Sequence, residues 1–125
     1  MSRAKHAQAL GQTWELRAAE FLVDRGCAIV AKGYRCRLGE LDIIASDNNG
    51  LVIVEVRARS SSSKGCAVET VGYRKQQRII NATRHYLMKN PSWHSRPIRF
   101  DVIAIDGIES DAPKIQWLRN AFDAT

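Results

Sequence analysis

The sequence predicts an α/β domain: a mixed sheet with helices on both faces, in the order α-β-β-β-α-β. Three observations lead there. The run Leu51–Arg57, LVIVEVR, is apolar on both faces until its end, and such a strand sits inside a sheet covered on both sides. Two long segments, one before it and one after it, carry apolar residues at helical spacing. The connections between the first three strands are short, whereas a whole helix separates the third strand from the fourth. Short links suit an antiparallel meander, and a helical crossover is what a parallel pair requires, with right-handed sense.

The first helix is expected from about Ala4 to Arg25. Ala7, Leu10, Trp14, Ala18, Phe21 and Leu22 recur at steps of three and four, which gathers them on one stripe. Gly26 stops it, since glycine tolerates the left-handed backbone of a helix end. Strand one is expected from Cys27 to Val30, with a continuation through Lys32, Gly33, Tyr34 and Arg35. Strand two runs from Glu40 to Ala45. Asn48-Asn49-Gly50 is a turn signal, and strand three follows it. The second helix starts at about Thr70 or Val71 and runs to Lys89, where Asn90-Pro91 ends it. Strand four is Arg99–Ile105, and Ile115–Leu118 is a short edge-strand candidate beyond the polar turn Asp106–Pro113.

All 125 residues form a single domain, because two cores of half that size would be marginal. Hydrophobic residues make up 45% and charged residues 26%, the balance of a soluble globular protein. No apolar run reaches the ~18 residues of a membrane span, and the N-terminal stretch lacks the apolar core of a secretory signal. Cys27, Cys36 and Cys66 are odd in number and lack C-x-x-C spacing, which argues for a reducing cytoplasm over a disulfide framework.

Charge is unevenly distributed. Residues 51–100 carry 10 basic and 2 acidic side chains, against 7 and 6 in residues 1–50 and 2 and 5 in residues 101–125. The basic middle fits a polyanion, nucleic acid first; the plainer reading is a solvated basic face. Ser60–Gly65 is a polar run and reads as a mobile loop.

Strand alternation puts Glu40 and Asp42 on one face of strand two, and Glu55 and Arg57 on one face of strand three. Glu55 follows four apolar residues, and an acid at the end of a buried strand is costly unless it is paired or binds a cation. The meander lets Asp42 and Glu55 converge. Paired carboxylates form a hard-oxygen site suited to Mg²⁺ or Mn²⁺, which serves phosphodiester hydrolysis. The alternative is an ordinary salt bridge with Arg37, Arg57 or Arg59. On helix two, Lys75 shares a stripe with Val71, Ile79, Ala82 and Tyr86. It either snorkels to solvent or aims its ammonium at the carboxylates or a phosphate. His6, His85 and His94 show no metal spacing, and Asp101 reads as structural.

Several segments together resemble the YraN family: Gly39–Ala45 (GELDIIA), Val54–Arg59 (VEVRAR), Lys75 with Arg78-Ile79, Arg99–Val102 (RFDV), the helix-one pattern Gly11, Glu15, Ala18, Leu22, Gly26, and Asn120-Ala121-Phe122. The likeness spans about Gly11 to Phe122. These small bacterial proteins are related to restriction endonucleases and Holliday-junction resolvases. The resemblance implies a restriction-endonuclease-like core and a nuclease motif in which an Asp precedes Glu-x-Lys on the next strand. Asp42 and Glu55 match its acids, and Arg57 stands where the lysine would be. Glu15 matches a first-helix Glu used by related resolvases. Arginine stays protonated, so Arg57 is suited to phosphate charge and not to accepting a proton.

The expected function is therefore a cytoplasmic, Mg²⁺- or Mn²⁺-dependent endonuclease acting on DNA, including branched or repair intermediates. Asp42 and Glu55 hold the metal with Glu15 or Glu40, Arg57 and Lys75 contact the scissile phosphate, and Arg59, Lys64, Arg74 and Arg78 hold the backbone. The competing expectation is a non-catalytic nucleic-acid-binding or adaptor protein that retains the fold. A protein-interaction module with no nucleic-acid role is a third. Monomer and homodimer are both open.

Overall fold

In the computed structural model, residues 3–60 and 71–124 are described, with the side chains of helix one from Thr13 onward. The elements are α1 (Arg3–Asp24), β1 (Ala28–Cys36), β2 (Gly39–Ser46), β3 (Leu51–Arg59), α2 (Tyr73–Lys89), a 3₁₀ turn (Pro91–Trp93), β4 (Ile98–Asp106) and β5 (Lys114–Phe122). One five-stranded sheet has the spatial order β1-β2-β3-β4-β5. β1–β2 and β2–β3 are antiparallel, β3–β4 is parallel across α2, and β4–β5 is antiparallel. The expected meander and parallel crossover are both present, and the element order is consistent with a restriction-endonuclease-like core.

α1 ends as its glycine predicts. Gly26 has φ +95°, its N–H bonds to the Val23 carbonyl, and the Cys27 N–H reaches back to that of Leu22, the paired bonds of a Schellman stop. After Asp47, whose Oδ1 accepts the N–H groups of Asn49 and Gly50, the chain reverses into β3.

Each helix covers one face. Leu51 and Ile53 point into a core with Ile79, Ile80, Ala82 and Tyr86 of α2. Val52 and Val54 point into the other, with Ala18, Ala19 and Leu22 of α1. Alternation along one buried strand thus feeds two layers. Trp14 and Trp117 pack on the α1 layer, as core rather than stacking platforms.

Three boundaries differ from expectation. β1 begins at Ala28 and runs unbroken to Cys36, its cross-strand bonds to β2 carrying it through Gly33. α2 begins at Tyr73, and Val71 is buried just ahead of it. β5 is a full nine-residue strand where a short edge was expected, because it is anchored by Asp101 of β4: the Asp101 carboxylate accepts the Trp117 indole N–H and the Asn120 backbone N–H, both at 2.9 Å. Among the described residues no helix is long and apolar enough to cross a membrane.

Candidate active site

The β2–β3 ladder runs from Ser46↔Leu51 to Ile43↔Val54. One residue beyond that last rung stand Asp42 and Glu55. The Val56 N–H is bonded not to a strand carbonyl but to Asp42 Oδ2, at 2.9 Å. The carboxylate thereby replaces the ladder where the strands part, and the opening admits side chains from both helices. The Asp42 carboxyl lies within hydrogen-bonding reach of Glu15 of α1 and of Glu55 of β3. Lys75 of α2 places Nζ 2.7 Å from Glu55 Oε1. Four elements thus contribute to one continuous chain, Glu15–Asp42–Glu55–Lys75.

Burial and mutual repulsion set the acids' behaviour. Glu55 is 6% exposed. Desolvation is the main cause that pushes its pKa up to about 7, with the Asp42 charge adding to it and Lys75 working against it. Desolvation likewise lifts Asp42 to about 6, opposed by the Val56 N–H and reinforced by the charge of Glu15. Glu15 is raised as well, first by burial. Acids that resist ionising side by side hold their protons to higher pH than free carboxyls do, and a cation would displace those protons.

Asp42 and Glu55, but not Glu15, border a cavity of about 470 Å³ between the β1–β2 hairpin and α2, which Arg35, Gly39, Glu40 and Arg78 also line. Lys75 reaches it from the helix surface. Its side chain is 61% exposed and its tip lies on Glu55, so it both snorkels and pairs, although it falls on the stripe of buried Val71, Ile79, Ala82 and Tyr86. Gly39 is required by close approach: a Cβ there would lie 2.7 Å from the Arg78 carbonyl oxygen. Helix α2 therefore rests directly on the hairpin turn.

The donor set fits a hard dication. Mg²⁺ is commonly held by one or two carboxylates, with water and substrate phosphate completing its shell, and the pair Asp42–Glu55 faces a cavity with room for both. Among the described residues no group of three or more ligating side chains forms a finished metal cage. The fit is thus to an open two-carboxylate site, with Glu15 behind it.

The remaining expected residues divide. Arg78 lines the cavity with Lys75. Glu40 also lines it, but its carboxylate is engaged by Arg35 Nε at 3.3 Å. Arg57 and Arg59 lie further along β3, and Arg74 is exposed on the first turn of α2; none of the three lines the cavity. Lys64 lies outside the described residues. His85 is hydrogen-bonded to the Tyr34 hydroxyl and His94 to the Leu87 carbonyl. Sequence reasoning missed Arg35 and Cys36, both of which line the cavity. Only the fold reveals Arg35: the tight Cys36↔Gly39 hairpin closure puts it opposite Glu40, just ahead of the motif that carried the resemblance.

Comparison with known proteins places the chain in a family. Residues 14–105 match the model of the uncharacterised protein family UPF0102, a stretch that includes Glu15, Asp42, Glu55 and Lys75. A UPF0102 protein of Legionella pneumophila is 46% identical over 117 residues, covering 94% of this chain and 97% of that one. A relative from Alcanivorax borkumensis is 43% identical over 112 residues, 90% of each chain. One from Pseudomonas putida is 40% identical over 113 residues, covering 90% of this chain and 92% of the relative. The matched span takes in the second half of α1, all of α2, and β1 to β4 up to Ile105, and on these grounds the chain belongs to the UPF0102 family.

Proposed function

We propose that this protein is a divalent-cation-dependent endonuclease that hydrolyses phosphodiester bonds in DNA, with branched and repair intermediates among its substrates. The observation that carries the reading is the juxtaposition of the buried Glu55 and the half-buried Asp42, one rung beyond the end of the β2–β3 ladder and open to a cavity. A structural salt bridge needs one acid and one base. Here the acids outnumber the base that reaches them, and their protons are held up to about 6 and about 7. Perturbed carboxyls in a cleft mark functional-site candidates, and the likeness to nucleases at GELDIIA and VEVRAR points to phosphoryl chemistry.

A bound Mg²⁺ or Mn²⁺ supplies Lewis-acid activation of the phosphate and a bound water of lowered pKa. Asp42 and Glu55 hold that cation, and Glu15 fixes the Asp42 carboxyl from behind. Lys75, paired with Glu55 until the acid is otherwise engaged, turns its ammonium to the phosphate. Arg78 steadies the strand as a fixed positive charge. Arg57, Arg59 and Arg74 extend the positive charge for the flanking backbone, where counterion release supplies affinity.

The test is calorimetric titration of Mn²⁺ into wild type and Asp42→Ala, together with incubation on linear, flapped and four-way DNA. Wild type is expected to bind Mn²⁺ and cleave at least one substrate. Asp42→Ala should stay folded and lose both properties. A second reading, a nucleic-acid-binding adaptor that retains the fold, is favoured by one observation: the Lys75 ammonium already answers Glu55 at 2.7 Å. Salt-sensitive DNA binding without cation binding or cleavage would decide for it.

A further inference from the structure

Arg35 lines the cavity from the edge strand, opposite α2. It stands across from Glu40 on the β1–β2 ladder, and its Nε lies 3.3 Å from the Glu40 carboxylate. A guanidinium has five N–H donors in a fixed fork, more than one carboxylate can engage at once. Its charge reaches the carboxyl cluster, where it weakly opposes the rise that burial imposes on the Glu15 carboxyl. Arg78 lines the same cavity from α2, and its backbone is set against the hairpin at Gly39. Hairpin and helix thus hold two guanidinium-bearing residues in one frame beside Asp42 and Glu55. Among the described residues no aromatic ring lines this cavity, so it offers phosphate and sugar contacts and no stacking surface for a base.

We propose that Arg35 and Arg78 form a two-arginine phosphate subsite that takes the sugar–phosphate backbone of a nucleic-acid strand without selecting its bases. Glu40 serves as the counter-ion that orients Arg35 from the neighbouring strand. The assignment deepens the nuclease reading and rests on it for the identity of the strand. Its readout, binding without metal, is separate from that reading's own test. Arginine suits this role because its planar fork can meet two phosphate oxygens at once.

The experiment measures fluorescence anisotropy of the full chain in EDTA with three labelled 12-mers: oligothymidylate, oligodeoxyadenylate and an abasic deoxyribose–phosphate strand. All three are expected to bind within about threefold of one another. Arg35→Ala and Arg78→Ala should each weaken all three by roughly tenfold, the scale of one charge-assisted contact. The double variant should reduce the log–log salt slope by about 1.4, or ~0.7 per phosphate on a single strand. Arg35→Lys, which keeps the charge and loses the fork, should fall between wild type and alanine. Arg35 is exposed, so these variants should fold, and an unchanged melting temperature verifies it. An abasic strand that binds more than tenfold weaker than the other two would overturn the backbone-only assignment, as would an Arg35→Ala protein that binds like wild type. Since EDTA removes the cation, a failure of metal binding at Asp42 leaves this measurement intact.

Discussion

Two buried acid sites in this sheet have opposite economies. Asp101 on β4 is fully buried. Its carboxylate accepts the Arg99 Nε–H at 3.1 Å from each oxygen, the Trp117 indole N–H and the Asn120 backbone N–H. Arg99 is held in turn by Asp47 at 2.8 Å. Asn120 has φ +54°, a conformation asparagine tolerates better than most residues, and it sits where the β4–β5 register shifts between Phe100 and Val102. The network joins the β2–β3 turn, β4 and the edge strand β5. Asp42 and Glu55 receive far fewer donors: one backbone N–H and one ammonium, beside the carboxyls of each other and of Glu15. A buried acid surrounded by donors is a fastener. Buried acids surrounded by acids destabilise the fold unless a proton or a cation joins them.

The contrast is broken most forcefully at the fastener. Asp101→Ala should cost about 3 kcal/mol, in the range for removing one partner of a buried ion pair. It leaves Arg99 without its second acid and frees the Trp117 and Asn120 donors. Urea unfolding measures the loss. Cation affinity of the folded fraction should be unchanged, because the Asp101 network lies apart from the cavity. A cost below about 1 kcal/mol would show that β5 holds without the Asp101 contacts.

At the cavity the sign reverses. The folded-state values of Glu55 and Asp42 lie above those of free side chains, so the native state binds their protons more tightly than the unfolded chain does. That stability is fully present below about pH 4 and is lost as pH rises through 6 and 7. Metal-free wild type should therefore lose stability from pH 5 to pH 8. Glu55→Gln, which cannot ionise, should lose less and be more stable than wild type at pH 8 by about 1 kcal/mol; Lys75, largely exposed, can stand in water alone. Saturating Mg²⁺ should remove most of the slope from wild type and do nothing for Glu55→Gln. Thermal melts at paired pH values, with EDTA or Mg²⁺, give all these comparisons. A wild type whose stability is flat across this interval would mean that the acids are ordinary salt-bridge partners.

Most of the fold was legible because it is written in local terms. The doubly apolar LVIVEVR fixed a central strand, and loop lengths fixed which strands pair in which sense. The length of β5 was not legible, because after Leu118 the apolar pattern breaks at Arg119-Asn120, and the extension is held by Asp101 and Phe100, which are distant in sequence. At the site, Asp42 and Glu55 could be paired from alternation and the meander. That the ladder stops at Ile43↔Val54, with a carboxylate taking the Val56 N–H, is a tertiary event that no spacing encodes. Lys75 was visible as a misfit on an apolar stripe. Arg35 was missed because an arginine on an edge strand looks like any solvated charge until the helix opposite is in place.

The smallest expected effect sharpens the comparison inside the cavity itself. The family motif implied by resemblance has a lysine at position 57, and this chain has arginine there. Arg57 lies two residues beyond Glu55, outside the cavity lining, whereas the ammonium on Glu55 comes from Lys75 of α2. If the helix supplies the lysine that the strand lacks, Arg57→Lys should change stability by no more than about 0.5 kcal/mol and alter Mn²⁺-supported cleavage by less than about threefold. Lys75→Arg keeps the charge but replaces a compact, strongly hydrated point charge with a broad fork that cannot lose its proton. It should cost at least tenfold more in rate than Arg57→Lys, with cation affinity nearly unchanged because the charge beside Glu55 is preserved. Single-turnover rates on one cleaved substrate, beside Mn²⁺ titrations of both variants, separate the two positions. A rise in rate for Arg57→Lys would return the proton-handling role to the strand, and an unaffected Lys75→Arg would reduce Lys75 to a counter-ion.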